Sequence, residues 1–224
     1  MGKGAWLESV RGVLNPVVRA LARAGVTPTG VTLFGLGMNI VCGVVIGLGH
    51  PRAGGFLLIA AGLCDALDGQ LARLTGRTSR FGAFLDSTID RIDETAVLAG
   101  IAAYYLHSGA VRVAFGGERL LDVDRPDAWF AVLSVVALGG SLITSYTRAR
   151  AEGLGQECKV GAFERPERVV VTVLGLLLGQ RALMGAVLVL VVLSWITVLQ
   201  RILHVQRAMA RAEAGAPGAT GRRA

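Results

Sequence analysis

The apolar positions of this chain follow two rhythms. Over residues 3–24, Trp6, Leu7, Val10, Val13, Leu14, Val17, Val18 and Leu21 recur at helical spacing, and Glu8, Arg11, Asn15, Arg19 and Arg23 take the other face. The pattern predicts an amphipathic helix. Its basic polar face suits the headgroup boundary of a membrane better than the alternative, a soluble helix packed on a partner. Thr27-Pro28 breaks that helix. Beyond it the apolar residues run in blocks at roughly 30–49, 54–72, 83–106, 128–147, 168–179 and 182–205. A helix needs about 20 mainly apolar residues to cross a bilayer. Most blocks meet that length outright, and 168–179 needs flanking residues to complete its span. The expected fold is all-α: an integral membrane bundle of six transmembrane helices preceded by an amphipathic interfacial helix. The boundaries are 1–26 for the juxtamembrane helix, 27–207 for the six-helix domain and 208–224 for a disordered tail rich in Ala, Gly and Arg.

Composition agrees with burial in lipid. The chain is 53% hydrophobic and only 17% charged, with mean hydropathy +0.56. Soluble domains carry about 25% charged residues. Cys42, Cys64 and Cys158 are too few and too scattered for a disulfide framework or a zinc site. Residues 1–25 lack a continuous apolar core, so no cleavable signal peptide is expected.

The net charge of +7 admits nucleic acid, anionic lipid or a phosphorylated substrate as partner. Aromatics make up only 6% of the chain, so no basic stripe interleaved with aromatics marks a nucleic-acid binder. The positive charge is instead sided. Arg77 and Arg80 lie in the second connection, Arg148, Arg150, Lys159, Arg165 and Arg168 around the fourth, and Arg207, Arg211, Arg222 and Arg223 in the tail. In the 107–127 loop Arg112, Arg119 and Arg125 are balanced by Glu118, Asp122, Asp124 and Asp127. The positive-inside rule then puts the basic connections and both termini in the cytoplasm, with the chain in the plasma membrane.

Charge inside the apolar blocks is the anomaly. Asp65 and Asp68 are three residues apart and share a helix face, and Asp86 and Asp90 are four apart on the next helix. A short connection makes these helices antiparallel neighbours, so the carboxylates can converge. Each costs about 2.5 kcal/mol or more at a helix centre, and together they repel. Divalent metal ions resolve both problems. Hard oxygen ligands suit Mg²⁺, with Mn²⁺ the other choice, and a pair of ions clamps both ends of a phosphoryl transfer. Gly69, Ala72 and Gly82 leave room for close approach, and Arg73 lies one turn beyond Gly69. The competing reading pairs these acids with Arg73, Arg80 and Arg91, or lines a transporter or channel with them. Four acids at this spacing, with the glycines and Arg73, weigh against it.

The run from Asp65 to Asp90 resembles the signature of the CDP-alcohol phosphotransferases, D-x-x-D-G-x-x-A-R-x8-G-x-x-x-D-x-x-x-D, at every fixed position. The resemblance implies transfer of a phosphatidyl group from CDP-diacylglycerol, or another CDP-linked lipid, to a polar alcohol with release of CMP. It implies that Asp65, Asp68 and Asp86 hold two metal ions. Asp90 would touch one ion and accept the proton of the incoming hydroxyl. It further implies that Gly69, Arg73 and Ser79, with the turn Thr29-Gly30-Val31-Thr32, contact the CDP moiety. Asp93 and Glu94 continue the same helix past the motif, and no catalytic role is assigned to them.

The acceptor is read from a second basic cluster. Ser145-Tyr146-Thr147-Arg148-Ala149-Arg150-Ala151-Glu152 closes the fourth block, Glu164-Arg165-Pro166-Glu167-Arg168 opens the fifth, and Gln200-Arg201 falls late in the sixth. Arginine forks match phosphate oxygens, which points to a phosphorylated acceptor, although Glu152, Glu164 and Glu167 could pair with them instead. These runs are similar to those of the phosphatidylinositol phosphate and archaetidylinositol phosphate synthases. That similarity implies inositol 1-phosphate as acceptor, bound through Ser145, Arg148 and Arg201, and a homodimer. The same machinery with glycerol 3-phosphate is the alternative.

Overall fold

The computed structural model describes residues 14–109 and 126–215, all of whose regular structure is helical. The helices are α1 (14–23), α2 (Pro28–Gly47), α3 (Pro51–Leu74), α4 (Arg80–Gly109), α5 (Pro126–Gly153), α6 (Arg165–Leu178) and α7 (Gln180–Gly215). Each of the six apolar blocks is thus one helix. Among the described residues, four are long and apolar enough to cross a membrane: α2, α3, and the stretches Ala128–Gly153 of α5 and Gln180–Arg211 of α7.

The other two fall short of that length and apolarity for separate reasons. Asp86, Asp90, Asp93 and Glu94 dilute the apolarity of α4. The 14 residues of α6 rise only about 21 Å, short of a hydrocarbon core of about 30 Å. Its ends are set chemically. Glu164 and Glu167 form a reciprocal capping box at the start, and Gly179, at φ 105°, ends the helix. At the other end of the chain, α7 continues through residues 208–215, which were expected to be disordered. Ala, Arg, Met and Glu there are strong helix formers. Residues 216–224 of that tail, 1–13 of the amphipathic stretch and 110–125 of the 107–127 loop lie outside the described residues.

The chain forms two compact units that divide between Ala131 and Val132. In the first, α3 and α4 both pack on α2. Missing side chains permit this. A Cβ on Gly43 of α2 would lie 2.3 Å from the Ala96 carbonyl oxygen, and one on Gly100 of α4 would lie 2.3 Å from that of Gly43. The two backbones touch there, in the small-residue manner of membrane helices. Part of the apolar stripe of α1 faces the protein: Val18 is fully buried with Val31 and Leu71, and Leu21 and Ala22 pack against them, while Val17 is exposed.

The second unit contains most of α5 together with α6 and α7. Its interior is unusually polar, with Ser134, Ser141, Thr144, Thr172, Ser194, Thr197, Arg168 and Arg201 all buried. Several hydroxyls bond back to the preceding turn of their own helix. Thr144 Oγ1 donates to Gly140 O at 2.8 Å, and Thr172 Oγ1 to Arg168 O at 2.8 Å. Trp195 Nε1 on α7 donates to Val136 O on α5 at 3.3 Å.

Candidate active site

The packing of α3 and α4 on α2 brings Asp65, Asp68 and Asp86 together. One carboxylate oxygen from each lies within 4.8 Å of the other two. Two like charges at that separation repel by at least about 3 kcal/mol at an effective dielectric near 20. Asp68 is the buried member, at 6% exposure, while Asp86 is open. The donor set is all hard oxygen, and a divalent cation relieves the mutual repulsion, so these residues fit Mg²⁺ or Mn²⁺. Asp90, one turn beyond Asp86, stands outside this mutual cluster.

The start of α2 supplies the rest of the local frame. Thr27 caps the helix, its Oγ1 accepting from Gly30 N at 3.1 Å, and Pro28 occupies the first turn. The cap places Thr32 one turn later, where its hydroxyl lies 2.6 Å from Asp68 Oδ2 and 3.1 Å from Pro28 O. Opposite, Ser79 Oγ accepts from Gly82 N at 2.9 Å and so caps the start of α4.

Beside the carboxylates lies a cavity of about 430 Å³. Thr29, Thr32, Gly69, Arg73 and Ser79 line it together with Asp68 and Asp86. Arg73 folds back over Gly69, where a Cβ would touch its Nη2 at 3.7 Å. Two members of the expected nucleotide turn do not line this cavity. Gly30 is spent on the Thr27 cap, and Val31 is buried against α1 and α3. Three polar lining residues carry no site role in the sequence reading: Thr27, Arg77 and Thr78. Arg77 and Thr78 fall inside the eight-residue gap of the signature, which fixes no residue type, and Arg77 reads there as ordinary sided charge.

The second unit holds the other basic candidates. Arg201 is 3% exposed. Its Nη1 donates to Thr144 O, its Nε donates to Val160 O at 2.9 Å, and its Nη2 lies 3.7 Å from Glu164 Oε1. Arg201 is thereby drawn to the segment that carries Ser145. Arg148 is half-open, and its Nε donates to Glu152 Oε1 at 2.9 Å.

A sequence profile of CDP-alcohol phosphatidyltransferases matches residues 25–206. The chain belongs to the CDP-alcohol phosphatidyltransferase family. It is a transferase of phospholipid biosynthesis. Over 202 residues it is 35% identical to the phosphatidylinositol phosphate synthase of Mycobacteroides abscessus, covering 87% of this chain and 84% of that one. Over 199 residues it is 33% identical to the archaetidylinositol phosphate synthase of Pyrococcus horikoshii, covering 88% and 93%. Crystal structures of the Mycobacterium tuberculosis phosphatidylinositol phosphate synthase have the same fold. The one with CDP-DAG bound superposes with a TM-score of 0.73 at 30% identity, covering 93% of this chain and 97% of that one. The complex with manganese and citrate also gives 0.73, at 31% identity, with coverage of 93% and 92%. Two features of this family member are therefore visible in the first unit: a convergent carboxylate set and a cavity with arginines beside it.

Proposed function

We propose that this enzyme transfers a phosphatidyl group from CDP-diacylglycerol to inositol 1-phosphate, releasing CMP. The observation that carries the proposal is the convergence of Asp65, Asp68 and Asp86, of which Asp68 and Asp86 line a cavity together with Arg73 and Arg77. The names of the relatives support the choice of acceptor.

Asp65, Asp68 and Asp86 would hold two divalent ions, Mg²⁺ or Mn²⁺, and Asp90 would touch one of the ions. When bound, these supply charge neutralisation of the diphosphate and of the departing phosphate. The protein does the rest. Arg73, from one turn beyond Gly69, and Arg77 bind diphosphate oxygens in the cavity, and Thr29, Thr32, Gly69 and Ser79 shape its wall. Gly30 and Val31 act one step removed, through the cap and core that position the turn. Ser145, Arg148 and Arg201 bind the phosphate of the acceptor. The acceptor hydroxyl attacks the lipid-linked phosphorus, Asp90 takes its proton, and the bond to CMP breaks.

The architecture of this reading is six crossings within 27–207, with the amphipathic segment 1–26 at the headgroup level, both termini and the active site in the cytoplasm, and a homodimer in the plasma membrane. The sided arginines support the orientation.

The test is CMP release by the purified full chain with CDP-diacylglycerol and, in turn, inositol 1-phosphate, glycerol 3-phosphate, inositol and serine. Turnover is expected with inositol 1-phosphate and is abolished by chelation of divalent metals. Turnover with glycerol 3-phosphate alone would replace the acceptor. Activity that survives chelation would remove the metal assignment.

A further inference from the structure

A second cavity, of about 610 Å³, lies in the second unit and shares no lining residue with the sites described above. One wall is α7, where Gln200, His204, Arg207 and Arg211 recur at intervals of four, three and four and so lie on one face. Leu203, 47% exposed, adds apolar surface to the same wall. The other wall is the connection between α5 and α6 around Gly161.

That connection is tied to α7 by its backbone. Arg201 Nε donates to Val160 O at 2.9 Å, and His204 Nε2 lies 3.3 Å from Glu157 O. Gly161 adopts φ 130°, and a Cβ there would lie 2.6 Å from Thr197 Cγ2, so a larger residue would lift the connection away. The wall is therefore built rather than incidental.

Its charge is one-sided. Among the described residues no carboxylate lines the cavity. The two acids of the connecting segment face other cations, Glu157 pairing with Lys159 and Glu164 facing Arg201. Arg207 and Arg211, both exposed, thus share a helix face and a cavity with no acid in it. Two like charges four residues apart are mildly destabilising alone and favourable around an anion. The site also sits where α7 changes character, from the apolar run that qualifies it as a span to a polar end. A guanidinium pair beside exposed leucine at that depth matches a ligand with a charged head and an apolar body.

We propose that this cavity is a phosphate-oxyanion site for the headgroup of an anionic phospholipid. Arg207 and Arg211 hold the phosphate oxygens, His204 and Gln200 hydrogen-bond the polar head, and Leu203 meets the start of the acyl region. The proposal rests on α7 crossing the membrane, but it uses none of the residues assigned to transfer, so failure of the CMP-release assay would leave it standing.

Native mass spectrometry of the purified full chain tests it, with phosphatidylglycerol and phosphatidylcholine offered at equal concentration. The unaltered protein is expected to retain phosphatidylglycerol in preference. The double variant Arg207→Gln/Arg211→Gln is expected to lose that preference by about tenfold, as two charge-assisted contacts disappear. The charge-matched tail variant Arg222→Gln/Arg223→Gln is expected to keep it. Equal retention of both lipids by the unaltered protein would overturn the site, and this measurement does not depend on any variant folding. Equal loss in the tail variant would reduce the effect to general charge and also overturn it. Displacement of phosphatidylglycerol by millimolar inorganic phosphate would overturn the lipid assignment in favour of a soluble phosphate.

Discussion

Thr32 on α2 and Asp68 on α3 are joined side chain to side chain, oxygen to oxygen, at 2.6 Å. Asp68 is the most buried carboxylate of the cluster, and this bond fixes which way one of its oxygens faces. Partners that orient a metal ligand typically matter by 10–100-fold in metal affinity. Thr32→Val keeps the branched shape and removes the hydroxyl. It is expected to raise the Mg²⁺ or Mn²⁺ concentration needed for half-maximal CMP release by about tenfold, with little change in thermal stability. An unchanged metal requirement would show that Asp68 is oriented without Thr32.

The backbones of α2 and α4, the helix that carries Asp86, touch where Gly43 meets Ala96 and Gly100. Gly43→Ala puts a Cβ 2.3 Å from a backbone oxygen that has no flexible side chain to move. Overpacking of this kind costs about 1–3 kcal/mol. Thermal unfolding in detergent is expected to show a midpoint several degrees lower, with activity reduced at permissive temperature because Asp86 shifts from Asp65 and Asp68. Gly37→Ala, on the same helix with open space at its Cβ, is the control that should do neither.

Asp90 stands apart from the three clustered carboxylates, so its replacement should have a different signature. Asp68→Asn is expected to raise the metal requirement and lower turnover together. Asp90→Asn is expected to lower kcat by about 10²–10⁴-fold, the usual worth of a positioned base, with a smaller rise in metal requirement than Asp68→Asn gives. The comparison is a metal titration of each variant at saturating substrates. Full activity in Asp90→Asn would end its role as base.

Arg148 and Arg201 share a proposed ligand but differ in setting. Arg148 is half-open and bonded to Glu152, whereas Arg201 is buried and holds the Thr144 and Val160 carbonyls. Arg148→Ala is expected to raise KM for the phosphorylated acceptor by about tenfold and leave that for CDP-diacylglycerol unchanged, reflecting one lost charge-assisted contact. Arg201→Ala is expected to do the same and also to destabilise the protein by about 2 kcal/mol or more, since a buried and a part-buried carbonyl lose their donor. Equal effects of Arg148→Ala on both KM values would place it outside the acceptor site.

Much of this protein is local in origin and therefore readable along the chain. Hydrophobic blocks of span length became helices because each satisfies its own backbone hydrogen bonds, whatever its neighbours do. The i, i+3 and i, i+4 spacing put Asp65 with Asp68 and Asp86 with Asp90, because helix geometry alone decides which residues share a face. The signature from Asp65 to Asp90 carried the family, since its invariant positions are residue types and not contacts.

What crossed between helices had to wait for the fold. The pairing of Thr32 with Asp68 spans 36 residues, and that of Arg201 with Thr144 spans 57; no periodicity encodes either. Val31 reads as part of a binding turn, yet the docking of α1 turns it into core. Arg77 reads as sided charge, yet the cap at Ser79 and the turn before it bring it to the cavity wall. Sequence spacing determined the four aspartates as two pairs. Close contact of α2 with α4 at glycine, and of α2 with α3 through Thr32, decided that Asp65, Asp68 and Asp86 meet in one cluster, because convergence depends on interhelical packing that no single helix contains.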